Sequence, residues 1–90
     1  MFVIISSSTP LYVKITDEEN VDLVDDIRVA SKFIGADVLT YYLDVSRKRY
    51  NNIDLKCLDV PNEIFGNEPK NIIDSLNDEQ FMQVMKKYHE

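Results

Sequence analysis

Glycine and proline are scarce in this chain, two and three among 90 residues, which excludes a low-complexity or disorder-prone composition. Two glycines cannot cradle a phosphate in the Walker manner, and neither GxGxxG, GxxxxGK(S/T) nor GxSxG occurs. A single cysteine, Cys57, and a single histidine, His89, give neither CxxC nor HExxH spacing. No transition-metal site, no other cofactor and no internal disulfide framework are therefore expected. A Cys57–His89 nucleophile pair would have to join a strand residue to a fraying tail, so Cys57 is expected to be a buried, inert small hydrophobe. No run approaches the ~20 apolar residues of a membrane span. Phe2–Ile5 meets Ser6-Ser7-Ser8-Thr9-Pro10 at once, too short for a signal segment and without a basic flank. The expected setting is intracellular and reducing, that of a cytoplasmic protein.

What is present is a capable core and an excess of acid. With 44% hydrophobic residues, the chain can fold as one domain spanning 1–90. A domain of this size is marginal enough for a partner or a second copy to add stability. Sixteen acids face ten cations, for a formal net charge of -6, which disfavours free duplex binding. Asp17, Glu18, Glu19, Asp22, Asp25 and Asp26 crowd one segment. The only three consecutive cations, Arg47-Lys48-Arg49, lie in a central stretch whose own acids balance them.

Phe2–Ile5 and Leu11–Ile15 are β-branched and aromatic runs joined by turn residues, the pattern of a hairpin with both faces at least partly covered. Thr16-Asp17-Glu18-Glu19 reads as a capping box. Leu23, Ile27, Ala30 and Ile34 follow at helical spacing, and Gly35 sits where a C′ glycine belongs. These residues predict a long amphipathic helix from Thr16 to Ile34. Residues 36–50 read two ways: a strand alternating through Leu39, Tyr41, Leu43 and Val45, or a helix capped by Asp37 and ending in Arg47-Lys48-Arg49. The helix is favoured. Ile53–Cys57 alternates as a strand continuing to Val60, and Asn62 caps a short helix through Phe65. Pro69 opens a helical turn into Ile72, Ile73 and Leu76. A last helix starts at Asn77, with Gln80 at N3, and buries Phe81, Val84, Met85 and Tyr88. The expected class is α+β: an N-terminal β-hairpin plus a third strand in a small sheet, packed by a long amphipathic helix and C-terminal helices.

Catalysis is disfavoured by this inventory. Ser6-Ser7-Ser8 has no base nearby, and Asp25-Asp26, adjacent on a helix, would point apart. The expectation is a non-catalytic protein–protein interaction module, an adaptor or an inhibitor of phage or viral type, steered by its acids to a partner with a basic surface. Its candidate contacts are Asp22, Asp25 and Asp26, with the Phe81/Met82/Met85 face as an adaptable docking surface. Plain core packing is the simpler account of that face. The alternative is a nucleic-acid-binding accessory protein using residues 36–50, through Thr40, Tyr41, Arg47, Lys48, Arg49 and Tyr50. The simpler account of that cation run is a helix C-terminus.

Four stretches carry two resemblances. "IISSSTPLYVKI", "IDLKCLDVPNEIF" and "LNDEQFMQVMKKY", in an order of hairpin, long helix, second helix, strand and paired helices, resemble the BTB/POZ fold of elongin C-like ubiquitin-ligase adaptors. That likeness implies an adaptor role. Here, however, Ser-Thr-Pro replaces the usual glycine-containing acidic turn, and Gly66-Asn67-Glu68-Pro69 interrupts the central helix. "IRVASKFIGADVLTYYL" is similar to small helix-turn-helix modules, which would turn Thr40, Tyr41 and the 47–49 end towards DNA.

Overall fold

The computed structural model describes residues 1–7, 10–17, 20–66 and 70–88, with the side chains of Lys87 and Tyr88 excluded. The expectations for Ser8, Thr9, Glu18, Glu19, Pro69, His89 and the Tyr88 side chain lie outside the described residues. Among the described residues six strands form one curled mixed sheet: β1 (Phe2–Ser6), β2 (Tyr12–Ile15), β3 (Val21–Val24), β4 (Lys32–Phe33), β5 (Leu55–Asp59) and β6 (Ile72–Ile73). Two helices, α1 (Ala36–Arg49) and α2 (Asp78–Tyr88), and a 3-10 helix (Asn62–Phe65) complete an α+β fold.

β1 is the hub. Along one edge it pairs antiparallel with all of β5, from Phe2 opposite Asp59 to Ser6 opposite Leu55. Its other edge is shared, Ile5 pairing with Tyr12 of β2 and Phe2 with Phe33 of β4. β3 extends the sheet beyond β2, and β6 runs parallel to β4. Ser31 stitches the divided edge: its N–H donates to the Val13 carbonyl and its hydroxyl accepts from the Ile15 N–H.

The expected helix from Thr16 to Ile34 does not form. A hairpin takes its place: Ile15 stands opposite Val21, and the Thr16 N–H donates to the Asn20 carbonyl. The Asp17 carboxylate accepts from the Asn20 N–H and side-chain amide. The same short polar side chains that cap helices also close turns, and Val21, Leu23 and Val24 gain a strand partner in β2 that a helix would forgo. Residues 27–29 then turn the chain into β4. Gly35, read as a helix end, stands immediately before a helix, at φ 92°. A Cβ there would meet no neighbour, so it is the backbone angle that calls for glycine.

Residues 36–49 are helical, as favoured, but Asp37 lies within the first turn and makes no cap bond. Strand β5 and the 3-10 helix stand close to their expected places, although Pro61 rather than Asn62 occupies the capping position. Ile72–Ile73 is a short strand, not a helical turn. Asn71, at φ 60°, leads into it and ties it to β4: its carbonyl accepts the Lys32 N–H and its side-chain amide donates to the Val29 carbonyl.

Both faces of the hub are covered, as the apolar runs predicted. Ile4, Val13, Val21, Phe33 and Leu55 meet Val38, Leu39 and Tyr42 of α1 in the main core. On the opposite face Val3, Val60 and Phe65 form a smaller core with Met1, Tyr12 and Ile27. Lys32 is fully buried, its ammonium 4.9 Å from the Phe65 ring centroid and donating to the Arg28 carbonyl. A cation over a ring face is attracted by the ring quadrupole, which offsets part of the desolvation cost.

That burial pushes the Lys32 ammonium below its ordinary pKa of 10.5, with Asp26 pulling the other way. Since the folded pKa is the lower one, the unfolded chain holds its proton to higher pH. Stability therefore rises as pH climbs through the window just below 10.5. Lys32→Met should lose this rise. Urea midpoints taken from about pH 8 upward should show the difference between parent and variant moving in the parent's favour as pH rises; a constant difference would contradict the sign.

Candidate functional site

The described part of α2 carries apolar residues over a wider arc than the domain covers. At about 100° per residue, Gln80 and Val84 share one side of the helix, with Phe81, Met85 and then Met82 following round it. Among its described side chains only Gln80 and Val84 are buried. Phe81 is 45% exposed, Met85 37% and Met82 67%. The expectation that Phe81 and Met85 pack inward is therefore corrected, and the reason is polar. Asn77 and Gln80 form the expected reciprocal cap: the Gln80 N–H donates to Asn77 Oδ1 at 2.8 Å, and the Asn77 N–H to Gln80 Oε1 at 3.1 Å. The side-chain amide of Gln80 reaches inward, Nε2 donating to the Tyr42 hydroxyl of α1 at 3.0 Å. This buried bond sets the rotation of α2 and leaves its second apolar flank outside.

The other acidic candidates do not share a helix face. Asp22 is exposed on β3 opposite Lys14, and Asp25 is exposed in the following turn. Asp26 accepts from the Arg28 backbone and guanidinium, and those bonds hold its carboxyl below the usual carboxylate range. The six candidates thus fall on two separate stretches, β3 with its turn and α2.

Residues of the alternative candidate set lie along α1 and at Tyr50 just beyond it, and Thr40, Tyr41, Arg47, Lys48 and Tyr50 each have a partner within the chain. The Thr40 hydroxyl donates to the Ala36 carbonyl, and Tyr41 sits edge-on to the Tyr42 ring, centroids 5.0 Å apart. Arg47 donates to the Leu55 carbonyl of β5 at 3.1 Å, Lys48 pairs with Asp44, and the Tyr50 hydroxyl donates to the Val21 carbonyl of β3 at 3.2 Å. Arg49 is exposed. In the alternation of the ladders, the Leu55 and Val21 carbonyls face away from the paired neighbours. Arg47 and Tyr50 therefore blunt outer strand edges.

Cys57 is exposed rather than buried, because β5 is an outermost strand. Desolvation raises its thiol pKa, with Arg47 opposing, so the thiol is not activated. Among the described residues no group of three or more His, Cys, Asp or Glu side chains could hold a metal ion, and no helix is long and apolar enough to cross a membrane.

No pattern along the chain announces a groove of about 320 Å³ where the start of α1 meets the loop before α2. Ile34, Val38, Leu76 and Phe81 supply its apolar wall, and Asp37 and Asp74 its charge. Its residues come from three separate stretches of chain, which only the β4–β6 pairing and the α1–α2 contact bring together. Comparison of the chain with protein-family models, curated proteins and solved structures finds no match.

Tyr42→Phe and Gln80→Ala should each cost about 1–3 kcal/mol by leaving a buried polar group unpaired. A double-mutant cycle read by urea unfolding should return a coupling of about 0.5–3 kcal/mol. Strict additivity would show that the amide bond does not hold α2 in place.

Proposed function

We propose that the chain is a non-catalytic protein-interaction module that docks through the open apolar flank of α2. The observation that carries this reading is the run of Phe81, Met85 and Met82, large apolar side chains left exposed on one helix by a polar bond that fixes its rotation. Exposed aromatic and methionine side chains are the material of adaptable docking surfaces, since they bury much area and fit irregular partners. The excess of acid supports a partner with a basic surface, because complementary charge speeds encounter and rejects acidic competitors. Arg47 and Tyr50 bond to the chain's own carbonyls, which favours a protein partner over nucleic acid. An adaptor, as the BTB/POZ resemblance implies, and an inhibitor of phage or viral type are the two forms of this reading. A cytoplasmic setting is part of the proposal, and a second copy of the chain is the alternative protein partner.

The test is a triple substitution, Phe81→Ser, Met82→Ser and Met85→Ser. Because these side chains are at least a third exposed, the triple variant should stay folded, which circular dichroism and a urea unfolding curve check. A partner captured by the parent chain and identified by mass spectrometry should lose most of its affinity, about tenfold or more, for the triple variant. Capture by Asp22→Asn/Asp25→Asn measures the acidic contribution separately. Equal capture by the parent and the triple variant would remove α2 as the docking element.

A further inference from the structure

We infer that the groove between the first turn of α1 and the loop entering α2 receives a basic peptide segment: one aliphatic or aromatic side chain seats against Ile34, Val38, Leu76 and Phe81, while an adjacent Lys or Arg meets Asp37 and Asp74. This inference rests on the α2 docking reading and names the partner chemistry that the reading requires. Three observations converge on it. The walls are apolar and accessible, with Ile34 46% and Phe81 45% exposed. The space, about 320 Å³, stands at the small end of the range for ligand pockets, about 300–1,000 Å³, and suits an anchor side chain with its flanking backbone. The lining includes two carboxylates and no cation.

The charge decides between occupants. The groove wall includes the uncapped first turn of α1, preceded by Gly35 with no capping side chain. Free N–H groups at a helix start would ordinarily draw an anion, but Asp37 and Asp74 repel one. A main-chain carbonyl of a bound segment satisfies the N–H groups without adding negative charge, and a lysine or arginine beside it answers the two acids. A nucleic-acid phosphate meets the same repulsion. A second copy of this chain, itself carrying a net charge of -6, would bring acids to acids.

The probe is a pair of capped peptides of roughly nine residues, each with a central leucine, flanked by lysines in one and by glutamates in the other. They are titrated into the isotope-labelled full chain and followed by amide chemical shifts. Lysine-flanked peptide should shift Ile34–Val38, Asp74–Leu76 and Phe81, and should weaken at least about fivefold in roughly 0.5 M salt. Asp37→Asn with Asp74→Asn should produce a similar loss while circular dichroism shows the fold retained. The glutamate-flanked peptide should leave the spectrum unmoved. Equal response to both peptides, or undiminished binding by the Asn variant, overturns the inference. Shifts confined to Met82–Lys86 also overturn it, yet they leave α2 as the docking element; loss of a captured partner in the triple serine variant reports on that reading separately. Shifts that grow with protein concentration in the absence of peptide would assign the groove to a second copy and overturn it too.

Discussion

β1 has no spare edge and no spare face, and every other part of the fold is placed by that constraint. A strand of five residues bonds to β5 on one side and to both β2 and β4 on the other. Three strands can share two edges only if β2 and β4 diverge, and the Ser31 bonds to Val13 and Ile15 hold the divergence together. Val3 and Ile4, consecutive and both fully buried, face opposite ways. One core thus becomes two, with α1 over the larger and the 3-10 helix over the smaller. Even the terminal ammonium is used, donating to the Val60 carbonyl at 3.2 Å beyond the end of the ladder.

What could be read along the chain was what the chain decides locally. The α+β class, the first hairpin, β5 and the Asn77–Gln80 cap depend on alternation, turn chemistry or neighbours a few residues apart. The stretch from Thr16 to Ile34 depends on partners far away. Its apolar spacing and its Thr-Asp opening satisfy a helix, but they satisfy strand, turn and strand equally well. β2 and β1 decide between them by offering ladder partners. Lys32 was hidden for the same reason. On a helix it would have been a solvated cation near the C-terminal end, whereas on β4 it points into the smaller core. Cys57 erred in the opposite direction: alternation identifies a strand but cannot say that the strand lies at an edge.

The candidate site follows the same division. Phe81, Met82 and Met85 could be picked out as one apolar group, but whether they pack or project depends on how α2 is rotated. A glutamine and a tyrosine 38 positions apart settle that rotation. The groove was invisible because none of its three contributing stretches carries a motif. The cation run became more intelligible with the fold in view. Arg47, within that run, bonds the outward carbonyl of Leu55 on β5, and the neighbouring Tyr50 bonds that of Val21 on β3, a use that no linear pattern announces.

The β1–β5 ladder also has a consequence in time. Met1 and Val60, bonded to each other, are 59 positions apart. As the chain leaves the ribosome, β1, β2 and β3 can zip through short turns, but one edge of β1 stays bare until α1 and then β5 have emerged. Long-range pairing of this kind is slow because a large loop must close before the bonds repay it. During that interval the nascent sheet offers its most apolar strand, open-edged, to any neighbour. The order of synthesis thus leaves the hub strand of the finished sheet as the open edge of a half-built one.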